Sequence, residues 1–454
     1  MIDCKECGKT FEKEEYKACP YCGQVPEDEA KGDPGAGKPA EYKAAPEEKV
    51  KKTEGPEGPE VKKAAGSKLK IFLIALLVLA VIAVAVSLFF TLDDTGITVP
   101  DKYSTIQEAI DAAEDGDIIV VDIGVYRENI DFRGKNITLT SLDPDDPDTV
   151  ERTIIDGRGS GTVVSFRSGE TEEAKITGFT VTRGSGILVS GNSSPVIEKC
   201  VIEDNNAEFG AGIAVFDSSP TIRENVIIGN SGFLGGGLFI EESSPLVEGN
   251  LIVSNRAEMG SGMVIISNSS PTVRNNQIVE NRAQRLGGGI VVAVDSTPLI
   301  QDNVITGNYA ERNGGGILIE ESEPVLEDNE ISRNRAANGG GIFIVNSFTA
   351  GLRIIGNEII NNLAFVAGGG IFMEGSSPVI EDNSFTGNIS EALGGGIAVY
   401  NSAPVVRRNI FEDNEAENPD GGGAIWVSED SELGIGDPDD NGYVSNIPGD
   451  LFFE

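Results

Sequence analysis

One block of sequence repeats nine times between Ser193 and about Ser428, and nothing constrains the fold more. The first copy reads SSPVIEKCVIEDNNAEFGAGIAVFD and the second SSPTIRENVIIGNSGFLGGGLFIEE. The lead residues are Pro195, Pro220, Pro245, Pro271, Pro298, Pro324, Leu352, Pro378 and Pro404, a period of 25 to 28 residues. Such a period belongs to a solenoid or a propeller. Each copy holds three short apolar runs divided by Asn or Gly, none long enough for a helix. Three strands in about 25 residues make one coil of a parallel β-helix, with coils stacked at the strand spacing of about 4.8 Å.

The columns of that stack follow from the alignment. Two residues after the lead stand Ile197, Ile222, Val247, Val273, Ile300, Leu326, Ile354, Ile380 and Val406; seven after it the residue is again apolar, from Ile202 to Phe411. Both columns are predicted to be continuous rows of the interior. Ten residues after the lead every copy has Asn, from Asn205 to Asn414, and five after it all but the first do, Cys200 being the exception. A buried amide must satisfy two donors and two acceptors, which a stack of like residues can do at a sharp corner. Seventeen equivalent asparagines read as structure, not as ligands.

The repeats resemble the right-handed parallel β-helix family, the architecture of pectate lyases and many surface proteins, over residues 97 to 454. That resemblance implies an all-β solenoid and leaves the activity open. About eleven coils are expected. A helix opening at Ser104-Thr105-Ile106-Gln107 should plug the lower end, with less regular coils to residue 192 and a cap from 429 to 454.

The N-terminal part is of another kind. Cys4, Cys7, Cys19 and Cys22 form two C-x2-C pairs within residues 1–23. They resemble a zinc ribbon, four thiolates suiting a structural, tetrahedral Zn²⁺; two matched pairs favour metal over a redox dithiol. Residues 24–67 are a Pro-, Gly-, Glu- and Lys-rich linker. Residues 71–92 carry no charge and are long enough to span a bilayer, with Lys62, Lys63, Lys68 and Lys70 before them and Asp93 and Asp94 after. The positive-inside rule places the N-terminus in the cytoplasm and the solenoid outside a cell membrane crossed once.

The chain has 454 residues and a formal net charge of −38, which argues against a nucleic-acid partner. It has no histidine, which excludes Ser-His-Asp and Cys-His catalysis. Two features bear on function. The strand after the glycines carries an apolar outward column that includes Phe239, Phe343, Phe372 and Trp426, with Tyr400 beside it. An apolar stripe on an exterior face reads as a stacking platform for surface glycan, as a surface for another protein, or as a β ladder favourable in itself. The second is an acidic cluster with Asp302, Asp328 and Asp382 near Arg407 and Arg408, the parts that lyases of this fold use with Ca²⁺. The acidic turns at 143–148 and 437–441 carry further oxygen donors for Ca²⁺, without the glycine-positioned loop of a dedicated site. The sequence therefore favours a non-catalytic, membrane-anchored binder of polysaccharide or of a surface protein. A polysaccharide lyase or glycosidase working through acidic residues is the alternative.

Overall fold

The two aliphatic columns become two walls of a solenoid. In the computed structural model Ile197 pairs in register with Ile222, Ile222 with Val247, and so on to Val406 along one parallel sheet, all without exposed surface. Ile202 to Phe411 do the same along a second. The structure describes residues 2–3, 10–11, 96–348, 351–435 and 440–453, which fall into two units, Met1–Val81 and Ile82–Glu454. In the first, Ile2–Asp3 and Thr10–Phe11 form one antiparallel pair, Ile2 opposite Phe11. The four cysteines, the linker and residues 71–92 lie outside the described residues. Among the described residues no helix is long and apolar enough to cross a membrane.

The second unit is a parallel β-helix of about 13 coils. Among its described residues the first sheet has 14 strands, from Ile97–Val99 to Gly434–Ile435, and the second and third have 13 each. The count exceeds the expected eleven because the chain supplies strands on both sides of the regular repeats. The last coil adds Gly434–Ile435, Gly442–Val444 and Leu451–Phe453 to the three sheets.

Helix α1 (Ile106–Ala112) closes the lower end, as its polar signals predict. The Thr105 side chain accepts from the Glu108 amide at 3.1 Å, and Ile106, Ala109 and Ile110 face inward. Both ends are satisfied from the first coil. Glu128 accepts from the amides of Ile106 and Gln107, and Lys135 Nζ donates to the carbonyls of Ile110, Asp111 and Ala113. An anion at the N-terminus and a cation at the C-terminus also suit the helix dipole.

The asparagines are corner ladders. Asn230 donates its amide N–H and its Nδ2 to Asn255 Oδ1, at 2.9 and 3.1 Å, and its Nδ2 also reaches the Ile202 carbonyl. Asn255 repeats this with Asn281 and Ile227. Cys200 accepts no such role: its amide donates to Asn225 Oδ1, and burial pushes its thiol up to about 12. A third ladder stands at the corner before each lead residue, where the amides of Ser193, Ser218 and Ser243 each donate to the next serine Oγ. The residues just before the first Asn ladder all have positive φ, from Lys199 to Arg408.

A fourth sheet was not expected. Nine short parallel strands, from Asn206–Phe209 to Glu415–Ala416, follow the second Asn ladder. Each doubles back over the outer face of the third sheet, and the glycine cluster makes the reversal. Gly235 has φ +68°, and a Cβ there would lie 2.3 Å from the Leu238 carbonyl oxygen. On Gly236 it would lie 2.6 Å from the Arg256 oxygen, and on Gly237 2.5 Å from the Gly262 oxygen. A side chain fits at none of the three.

Candidate functional site

The fourth sheet corrects the reading of the apolar stripe. Phe239, Phe343 and Trp426 are only 1%, 6% and 4% exposed. Phe239 and Phe343, with Val264, Val291 and Leu318, form a second, smaller core between two layers, closed from outside by Leu234 and Leu286 of the fourth sheet, and Trp426 is buried in a separate cluster with Ala367 and Ala398. Phe209 meets Phe239 with ring centres 5.2 Å apart. Phe372 is half-buried and stacks on Phe343 at 5.2 Å and 8°. Of the five aromatic candidates only Tyr400 is open to solvent, at 47%. The stripe is apolar because it is interior, so Phe239, Phe343 and Trp426 are not available as glycan platforms.

The acidic cluster is partly brought together. Asp302 and Asp328 stand on adjacent rungs, and Asp382 is two rungs beyond Asp328, about 10 Å by the strand spacing. All three occupy the left-handed corner column, with φ of 55°, 53° and 60°, a conformation that Asp, Asn and Gly tolerate best. Their side chains have work at the surface. Asp302 accepts from Gln301 Nε2 at 3.0 Å, and Asp382 holds Arg408 through two bonds of 2.8 Å. The Arg408 hydrogen bond keeps the Asp382 carboxyl below its ordinary value. Glu381, 5% exposed, gathers Arg353, Arg407 and Arg408 at 2.7 to 3.0 Å. Burial pushes its carboxyl up, but the two hydrogen-bonding arginines more than offset this and hold it low. Carboxylates so held are poor acids or bases.

The first acidic turn is also occupied. Asp146 caps helix α2 (Pro147–Arg152) through Thr149, Asp143 accepts from the Asp145 amide, and Asp145 pairs with Lys199. Asp437 to Asp439 lie outside the described residues. Among the described residues no group of three or more Cys, Asp or Glu is placed to hold a metal ion.

One pair of carboxyl groups behaves differently. Asp217 and Glu242 sit at positive φ on neighbouring rungs of the third corner. The hydrogen bond that Glu242 donates to the Asp217 carboxylate, with that group's negative charge, pushes the Glu242 carboxyl above its ordinary value.

The face with free functional groups is the outer side of the fourth sheet. The sequence Asn-Arg-Ala recurs at 255–257, 281–283 and 334–336, with Asn308-Tyr309-Ala310 between the last two. Alternation along each strand sends Ala257, Ala283, Ala310 and Ala336 inward, all at most 2% exposed. Arg256, Arg282, Tyr309 and Arg335 stand opposite one another on successive rungs, and the three arginines are exposed. The Arg282 guanidinium lies 4.7 Å from the centre of the Tyr309 ring. A groove of about 590 Å³ runs here, lined by Arg256, Arg282, Ala283, Gln284, Tyr309 and Glu311. Several other arginines of the solenoid are paired, Arg223 with Glu198, Arg274 with Glu248, Arg285 with Glu258. Among the described residues Arg256, Arg282 and Arg335 have no carboxylate partner within 4.0 Å. The recurring Asn-Arg-Ala was the readable signal for this face.

Two matches to a model of the right-handed β-helix region, over residues 145–286 and 280–436, cover most of the solenoid. The chain belongs to the right-handed β-helix family. Similar solved structures include the catalytic unit of a thermostable α-1,3-glucanase of family GH87 from Streptomyces thermodiastaticus. It is 13% identical over 77% of this chain and 69% of that one, with a TM-score of 0.47. Another is DFA-IIIase from Arthrobacter chlorophenolicus without its lid, 12% identical over 77% of this chain and 98% of that one, with a TM-score of 0.37. No curated protein matches in sequence. At these identities the likeness is one of fold.

Within this right-handed β-helix the two faces differ in chemistry. Held carboxylates and ion pairs on the first sheet stabilise the coil stack. The fourth sheet presents unpaired guanidinium groups and the Tyr309 ring along a groove, with Phe209, Phe233 and Phe365 exposed on other rungs, an arrangement suited to holding a chain laid across the rungs.

Proposed function

We propose that this β-helix protein is a membrane-anchored surface protein that binds an extended polysaccharide along its fourth sheet without turning it over. The observation that carries the reading is the row Arg256, Arg282, Tyr309, Arg335, which has donors and a ring but no carboxylate partner, beside a groove of about 590 Å³. A row that repeats from rung to rung suits a repeating ligand. The anchor rests on residues 71–92 and the lysines before them, and the solenoid is assigned to the cell exterior on that basis. On the cytoplasmic side Cys4, Cys7, Cys19 and Cys22 would hold a structural zinc, so metal analysis of the full chain should find about one zinc per chain, lost in Cys7→Ser.

A glycosidase remains the second reading, on one observation: the raised carboxyl of Glu242 beside Asp217. A carboxyl with a raised value beside a second carboxyl group is what acid-assisted glycoside cleavage uses. The two readings separate in one experiment. The full chain is incubated with the polysaccharide it binds, and new reducing ends or unsaturated ends are followed with time. Binding without new ends supports the first reading. Turnover abolished by Glu242→Gln replaces it with the second.

A further inference from the structure

We infer that Arg256, Arg282, Tyr309 and Arg335 form a track for a linear anionic polysaccharide, whose carboxylate or sulfate groups are taken up by successive guanidinium groups. This rests on the polysaccharide-binding reading and adds the charge of the ligand.

Like charges directly opposite on neighbouring strands destabilise a sheet, and Arg256 and Arg282 are register partners. The chain has 73 acidic and 35 basic residues, yet among the described residues none of the three guanidinium groups has a carboxylate in ion-pair contact. Glu258 pairs with Arg285 at 3.1 Å. Glu311 is the one carboxylate among the groove's lining residues. A repulsive row of three arginines with one carboxylate in its groove and none in contact is matched by anions from outside.

Arg256 and Arg282 are one rung apart, about 4.8 Å, and Arg282 and Arg335 two rungs apart, with Tyr309 between. That step is comparable with the advance per sugar in an extended chain, so charges carried on successive sugars meet successive arginines. Each guanidinium offers a planar fork that fits a carboxylate or a sulfate. Tyr309, under Arg282, supplies an apolar ring and a hydroxyl for a sugar that lies between two charges.

Charge density selects the polymer. Duplex DNA carries a charge about every 1.7 Å of its axis, which would bring far more charge than three arginines can match to a chain with a net charge of −38. Single strands are held by several stacking aromatics, and this row has one. A polymer with sparse, regular charge matches a sparse, regular row.

The test measures binding of the full chain in detergent to immobilised alginate, dextran sulfate, neutral dextran and oligo-dT, at low and at raised salt. Alginate or dextran sulfate should bind, whichever does identifying carboxylate or sulfate as the group read, and binding should weaken with salt. R256Q/R282Q/R335Q should lower that affinity by about tenfold or more, with its melting temperature unchanged. R256K/R282K/R335K, which keeps the charge, should retain most of it. Anionic polymers bound no better than dextran, a glutamine triple variant that binds like wild type, or tighter binding of oligo-dT would each overturn the inference. Dextran binding that Tyr309→Ala removes would sink the anionic track and leave the polysaccharide reading standing. No binding to any polysaccharide would sink both.

Discussion

The Arg282 guanidinium stands over the Tyr309 ring of the next rung, 4.7 Å from its centre, while its other neighbour in the sheet is a second arginine, Arg256. Attraction on one side is set against repulsion on the other. An exposed cation–π contact is worth about 0.5–1 kcal/mol. Arg256→Gln removes the repulsion and keeps the contact, so at low salt the melting temperature should hold or rise. Glu381→Gln, which strips Arg353 and Arg407 of their carboxylate and leaves Arg408 only Asp382, should lower it. Thermal melts of the two variants beside wild type check this; a fall in both would mean that Arg256 has a stabilising partner.

The corner ladder makes a larger demand. Asn255 Oδ1 accepts two bonds from Asn230, and its Nδ2 serves the Ile227 carbonyl and Asn281 Oδ1. Asn255→Ala leaves several buried polar groups without partners, at about 1–3 kcal/mol each. The expected loss in denaturant unfolding is about 3 kcal/mol or more, against under about 0.5 kcal/mol for an exposed surface change such as Gln277→Ala.

The buried clusters around Phe239 and Trp426 predict a separation of stability from binding. Phe239→Ala and Trp426→Ala should each destabilise by about 3–5 kcal/mol, as for large core truncations. Polysaccharide affinity of the folded fraction should not change, because neither ring reaches the surface. Affinity lost without loss of stability would restore the stripe as a contact surface.

Two carboxyl groups set opposite slopes of stability with pH. Glu381 is held below its ordinary value of 4.5, so its contribution is present above that value and is lost as pH falls through its folded value. Glu242 is held above it, so the fold is favoured below 4.5 and that advantage is lost as pH rises through its folded value. Melting temperatures from about pH 3 to 7 should show the acid limb flattened in Glu381→Gln and the opposite limb flattened in Asp217→Asn. Matching curves for wild type and both variants would contradict the assignment.

Much of this fold was legible in the sequence because stacking forces like residues into line. Ile222 predicts Val247, and Asn230 predicts Asn255, since each coil must repeat what the one below it does. The fourth sheet was not legible by the same logic. Strands such as Arg256–Met259 and Ser231–Leu234 have little apolar pattern of their own, and alternation cannot say that Phe239 points away from one core into another. The outward column therefore read as surface. What the glycines required, a chain reversal too tight for any Cβ, was the missing piece. The Asn-Arg-Ala recurrence was equally visible, but arginine beside a buried asparagine reads as ordinary solvated surface until the register shows three of them on one row with no acid between.

The claim that most needs testing is that the fourth sheet holds a polysaccharide. The direct measurement is a glycan array probed with the full chain, the double variant Arg282→Gln/Tyr309→Ala, and Tyr400→Ala as the control on the third sheet. The account predicts binding that the double variant loses, by about tenfold or more, and that Tyr400→Ala keeps. Binding kept by the double variant and lost by Tyr400→Ala would contradict it and move the site to the third sheet.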